Sequence, residues 1–233
     1  MSGALVTFET RDAAADYVAA LMEGALRQSL CLEAAAGLWL SGGSTPGPVF
    51  ERLSKTSLTW GSVKVGLVDE RWVPETDARS NAQLVKQSLL VDHAEQAEFV
   101  PMFRAGETHE ADAAPADHAY RQAFGTKPVT LLGMGGDGHT ASWFPGLEGI
   151  EDVMSEDAVD WVVPVDATGS QVAEGTTPYR LTLTGAALSQ SSLAILYITG
   201  DEKRAVLENR SAVLPIHHAE RLLGDRLVKV WAP

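Results

Sequence analysis

Apolar positions along the chain switch between a helical and a strand-like spacing. Between Asp12 and Leu30, the residues Ala13, Tyr17, Val18, Leu21 and Ala25 recur at helical intervals, continued at Leu32, and Thr10 stands where a cap belongs. Leu38-Trp39-Leu40 is a short apolar run that ends in Ser41-Gly42-Gly43-Ser44-Thr45-Pro46. Pro46 suits the first turn of a following helix, with Ser44 or Thr45 as its cap. Val63 to Val68 predicts a strand, and the charged Asp69-Glu70-Arg71 follows it. Helices are predicted from a Ser80 cap to Leu90 and from Ala111 to Phe124. Val129 to Leu132 reads as a strand running into Gly133-Met134-Gly135-Gly136-Asp137-Gly138-His139. Trp161 to Val163 is strand-like, and Pro164 limits it. Tyr179 to Thr184 alternates, and Gly185 opens a short helix. Leu193 to Ile198 reads as a buried strand ending at Thr199-Gly200, Asp201 caps a helix to Asn209, and Leu227 to Trp231 closes with a strand.

Strands that alternate with helices predict an α/β protein. The expectation is a single domain over residues 1–233, with a mostly parallel, Rossmann-like sheet and helices on both faces. In such sheets ligands bind beyond the carboxyl ends of the strands. Four segments are expected there: Ser41 to Thr45, Asp69 to Arg71, Gly133 to His139, and Gly200 to Lys203. A parallel sheet would carry them all to one edge.

Charge narrows the choice of partner. Lys and Arg number 18 against 31 Asp and Glu, a net charge of −13. Nucleic acid and anionic membrane surfaces both require basic faces, so neither is expected. Any anionic ligand would need a few cations that overcome a repulsive background. The 233 residues are 45% hydrophobic and 21% charged, which is ordinary for a globular protein with an ample core. Met1 to Glu9 has no signal-peptide pattern, and no apolar stretch approaches the ~18 residues of a membrane span, so a cytoplasmic protein is expected. Cys31, the one cysteine, lies among Leu30, Leu32, Ala34 and Ala35 and is expected to be a buried structural thiol.

The strand-end loops carry the candidate chemistry. The glycines of Ser41 to Thr45 allow backbone N–H groups to approach an anion, and a helix start adds a favourable dipole. A phosphate cradle of Gly42, Gly43, Ser44 and Thr45, or a tight turn with a helix cap, fits equally well. Gly133-x-Gly135-x-x-Gly138 matches the dinucleotide fingerprint in letters, but Pro145 and Gly146 stop the helix that motif requires. Asp157 and Asp160 fall before or at the start of the next strand, not at its end, so nicotinamide binding is not expected. The same loop places Asp137 and His139 around Gly138. An imidazole there suits general-base work, a carboxylate can orient it, and glycine amides can stabilise an oxyanion. His93, His109, His118, His217 and His218 are assigned to solvated or capping roles. No cluster has metal spacing, and neither a metal nor a cofactor is expected. Asp69-Glu70-Arg71 reads as a solvated turn or as a site edge. In the second case Arg71 holds an anion and Asp69 polarises a hydroxyl, helped by Arg79, Ser80 and Asn81. Arg180 and Lys203 are surface cations or partners of Arg71 around a phosphate.

Taken together, five segments resemble the 6-phosphogluconolactonase family over nearly the whole chain. They are Leu40-Ser-Gly-Gly-Ser-Thr-Pro46, Val68-Asp-Glu-Arg-Trp-Val-Pro74 with Ser80-Asn81, Leu132-Gly-Met-Gly-Gly-Asp-Gly-His-Thr-Ala-Ser142, Tyr179-Arg-Leu-Thr-Leu-Thr184 and Gly200-Asp-Glu-Lys203. The resemblance implies a sugar-phosphate isomerase-like fold, no cofactor and a catalytic His139. It also implies hydrolysis of 6-phosphoglucono-1,5-lactone in the oxidative pentose phosphate pathway. Glucosamine-6-phosphate deaminases share much of this pattern. They carry Asn-Glu-Pro after the loop histidine, where this chain has Ser142-Trp143-Phe144-Pro145, and Tyr where it has Arg71. A deaminase or a non-catalytic sugar-phosphate sensor are the alternatives. The expected partner is a small-molecule sugar phosphate, and the expected state is a monomer or weak homodimer.

Overall fold

A computed structural model describes residues 3–125, 127–170 and 177–233. The chain runs β1 (Leu5–Thr7), α1 (Arg11–Glu33), β2 (Ala36–Leu40), α2 (Gly47–Ser54), β3 (Val63–Leu67), β4 (Asp69–Arg71), α3 (Asn81–Ser88), β5 (Glu98–Phe99) and α4 (His109–Ala123). It continues through β6 (Val129–Leu132), α5 (Ile150–Met154), β7 (Val162–Asp166), β8 (Tyr179–Leu183), α6 (Gly185–Leu188), β9 (Leu193–Thr199), α7 (Asp201–Glu208), α8 (Pro215–Leu223) and β10 (Leu227–Ala232). Seven strands form one parallel sheet in the order β1-β10-β9-β6-β2-β3-β5. Its middle strand β6 and the neighbouring β2 are buried at every position, as parallel strands covered on both faces must be. Trp39 on β2 packs against Tyr120, Phe124 and Trp161, so the aromatic centre of the core lies beside α4.

A second, antiparallel sheet of three strands, β4-β8-β7, was not expected from the sequence. Val68 is the joint between the two. Its N–H donates to Leu40 of the main sheet, and its carbonyl accepts from Leu183 on β8. The chain therefore leaves the large sheet at Val68, and Asp69-Glu70-Arg71 becomes a strand rather than a charged turn.

Other expectations are corrected. Cys31 is exposed, not buried, because the last turn of α1 runs past the sheet and Leu32 beside it is 73% exposed. The inward stripe of α1 is Ala14, Ala15, Val18, Met22 and Leu26, one position round from the predicted one. Pro164 lies inside β7 instead of ending it; β7 is an edge strand, where a missing N–H is tolerated. Neither Ser44 nor Thr45 caps α2, whose cap position is Pro46 with no side-chain bond. Gly200, at φ 91°, precedes α7, and Asp201 is that helix's first residue. Among the described residues, no helix is long and apolar enough to cross a membrane.

Candidate active site

β2 pairs with β3 on one side and with β6 on the other, so the chain order reverses between β2 and β6. Loops leaving the carboxyl ends of two such strands diverge and open a crevice. A cavity of about 230 Å³ lies there. The loop after β2 supplies Ser41, Gly42, Gly43, Ser44 and Thr45, and the loop after β6 supplies Gly135 and His139. Asp69, Arg71, Asn81, Tyr197 and Lys203 complete the wall. Residues far apart in sequence thus meet at one sheet edge. Asp137 stands behind His139, and Arg180 is not among the lining residues.

The loop after β6 constrains His139 tightly. Its Nδ1 lies 2.6 Å from Asp137 Oδ1, which also accepts the His139 backbone N–H. Burial raises the Asp137 carboxyl, but the His139 contacts outweigh it and hold the group below the usual carboxylate range. An ionised carboxylate only accepts, so the proton of this bond belongs to Nδ1. The Nε2 lone pair is then left available, and no group among the described residues pairs with it. Gly135 must be glycine for this arrangement, because a Cβ there would lie 2.1 Å from the His139 ring.

Asp69 is buried, and its Oδ2 accepts from Ser142 Oγ at 2.7 Å. Ser142 is in turn fixed by Thr182, whose hydroxyl accepts the Ser142 N–H. Glu70 points the other way. It is 1% exposed and accepts from the N–H groups of Arg71, Asn81 and Ala82 and from Ser80 Oγ. Burial pushes its pKa up against those four donors. Glu70 therefore ties β4 to the start of α3, a favourable place for a carboxylate. Asn81 completes the tie: its Nδ2 donates to the Asp69 carbonyl, and a Cβ on Gly42 would meet its Oδ1 at 1.8 Å. Asp69, Arg71 and the Gly42 loop are positioned together by this knot.

The cations differ from one another. Arg71 donates one nitrogen to the Arg79 carbonyl, while its Nε is buried without a partner. Lys203 is half-buried with no carboxylate beside it among the described residues, and burial holds its ammonium below the ordinary lysine range. Ser41 Oγ is likewise buried without a partner at the cavity wall. Such groups suit an anionic ligand. Arg79 is clamped by Asp77 and lies outside the wall.

Sequence reasoning missed several contributors. Tyr197 carries no motif signal, and Ser41 stands in the predicted loop with no role of its own assigned. Phe144 lies against the His139 ring and was read only as part of a departure from a related pattern. His109 and His217, expected in solvated or capping roles, are both buried, and His217 does cap α8, its Nδ1 facing the Leu214 N–H. His109 stacks on Tyr179, and His217 Nε2 meets the Leu207 carbonyl, so each helps to hold the fold.

Comparison with known proteins places the chain in a family. The profile of glucosamine-6-phosphate isomerases/6-phosphogluconolactonase matches residues 9–222. The chain belongs to this family. It is 37% identical to the 6-phosphogluconolactonase of Rhizobium meliloti (strain 1021), covering 100% of both chains. It is 40% identical to that of Xylella fastidiosa (strain 9a5c), over 90% of this chain and 88% of the relative. The crystal structure of a 6-phosphogluconolactonase from Shewanella baltica OS155 superposes with a TM-score of 0.88 at 29% identity, covering both chains fully. Within the family, the single α/β domain and its sugar-phosphate isomerase-like sheet are shared features.

Proposed function

We propose that this family member hydrolyses 6-phospho-D-glucono-1,5-lactone to 6-phospho-D-gluconate, as the names of its relatives suggest. One observation carries the reading: His139 has Nδ1 committed to Asp137 and Nε2 open, in a cavity that also exposes Arg71 and Lys203. The phosphate docks on Arg71, Lys203 and the Gly42-Gly43-Ser44-Thr45 loop. That loop's hydroxyls cap no helix, and the amides of Gly42, Gly43 and Ser44 have no acceptor among the described residues. Binding at this remote group orients the lactone carbonyl. His139 Nε2 takes a proton from water as the hydroxide attacks C1. The C1 oxyanion is stabilised by backbone donors, and Nε2 returns the proton to the ring oxygen as the C1–O bond breaks. Asp137 holds the imidazole and stabilises its charged form. Asp69, fixed by Ser142, faces the substrate hydroxyls.

Freshly prepared lactone, followed by acid release against its spontaneous hydrolysis, tests the proposal. The expected result is hydrolysis well above the spontaneous rate. Ammonia release from glucosamine 6-phosphate, with no gain on the lactone, would replace it with the deaminase reading. Binding of sugar phosphate without turnover would leave a sensor.

A further inference from the structure

We propose that Phe144 is a positioning residue for His139, and that Arg180 braces Phe144 rather than taking the substrate phosphate. The inference rests on His139 being the base. One hydrogen bond from Nδ1 to Asp137 anchors the imidazole but leaves it free to swing about that bond. A contact on the ring face is needed to aim Nε2. Phe144 supplies it: the two ring centroids are 4.8 Å apart, with planes inclined by 40°. Gly135 lies close against the ring at Cε1 and Nδ1, where a Cβ would come within 2.1 Å.

The burial of Phe144 is not a by-product of the main core. It is 2% exposed, yet it clusters with Ala167 outside the large hydrophobic cluster, and the partly buried Leu147 packs against both. Its other ring partner is a cation. The Arg180 guanidinium carbon lies 5.9 Å from the Phe144 centroid, within range of a cation–π contact. Arg180 is itself buried, its Nε donates to the Thr177 carbonyl, and it stands opposite Arg71 in the β4–β8 pair. It is outside the cavity wall that Arg71 and Lys203 share. An arginine held by a backbone carbonyl and set against an aromatic ring is placed to fix that ring.

The test combines turnover of fresh lactone with affinity for 6-phosphogluconate, which reports phosphate binding and site integrity together. Phe144→Leu keeps the burial but not the flat face. We expect kcat to fall about tenfold, with product affinity unchanged within about twofold. Arg180→Met should behave alike. Loss of product affinity by tenfold or more in Arg180→Met, with kcat kept, would make Arg180 a phosphate ligand and overturn the proposal. Parental kcat in Phe144→Leu would overturn it as well. A double-mutant cycle separates this idea from the one beneath it. In a His139→Ala background, Phe144→Leu should change kcat no further, and an equal loss in both backgrounds would defeat the positioning role. Parental turnover in His139→Ala alone would instead remove His139 as the base.

Discussion

Arg71, Lys203 and Ser41 line the cavity, and among the described residues the Arg71 Nε and the Ser41 Oγ have no hydrogen-bond partner, whereas His139 is held on its Nδ1 and packed by the Phe144 ring. The two sides of one site are built on different demands. A bound phosphate supplies its own strong acceptors, so its cations need only be unneutralised and close. A proton-transfer group must already point along the reaction path, because a displacement of about 1 Å can lower the rate roughly 10²-fold. The acidic background sharpens the contrast: in a chain of net charge −13, Lys203 and the Arg71 Nε have no carboxylate partner among the described residues.

Five substitutions test how separate the two sides are. His139→Ala should lower kcat by about 10² to 10⁴ while 6-phosphogluconate still binds; steady-state kinetics with a product titration reads both. Gly135→Ala forces a methyl group against the imidazole and should lower kcat roughly 10²-fold in a folded protein, again with binding kept. Lys203→Ala should do the reverse. Product affinity should drop about tenfold or more, the usual range for a charge-assisted bond, with a smaller effect on kcat. If Lys203→Ala lowered kcat alone, the division between the sides would not hold. Ser142→Ala leaves the buried Asp69 short of a donor and should lower stability by about 1 to 3 kcal/mol in chemical denaturation.

The smallest effect concerns acid. The Asp137 carboxyl lies below its unfolded value of about 3.9, so its contribution to stability is complete above that pH and is lost as pH falls through the folded value. The stability gap between the parent and Asp137→Asn should close as pH falls below about pH 4. A gap that closed near neutrality would assign the effect to another group.

The glycine-rich loops and their strands were legible in the sequence because each is local: a run of apolar residues, then small residues, then a histidine. Asp137 and His139 are two positions apart, and their pairing needs only the turn between them. Phe144 was not legible as a support. The loop that carries it folds back on itself, and only then does the ring reach His139. Glu70 was equally opaque. Three consecutive charges suggest a wet turn until Ser80, Asn81 and Ala82 arrive with their donors from α3.

The order of strands and helices, the parallel character of the main sheet and the identity of the loop histidine follow from periodicity, turn residues and side-chain chemistry, all short-range properties of the chain. The split of β4 into a second sheet, the burial of His109 and His217, the exposure of Cys31 and the choice of which cations reach the cavity follow from packing between distant segments. A charged residue carries the same letter whether it meets water, a carbonyl or an aromatic face. Arg71 and Arg180 stand side by side across two strands, and only the walls around them separate a residue that lines the cavity from one that faces Phe144.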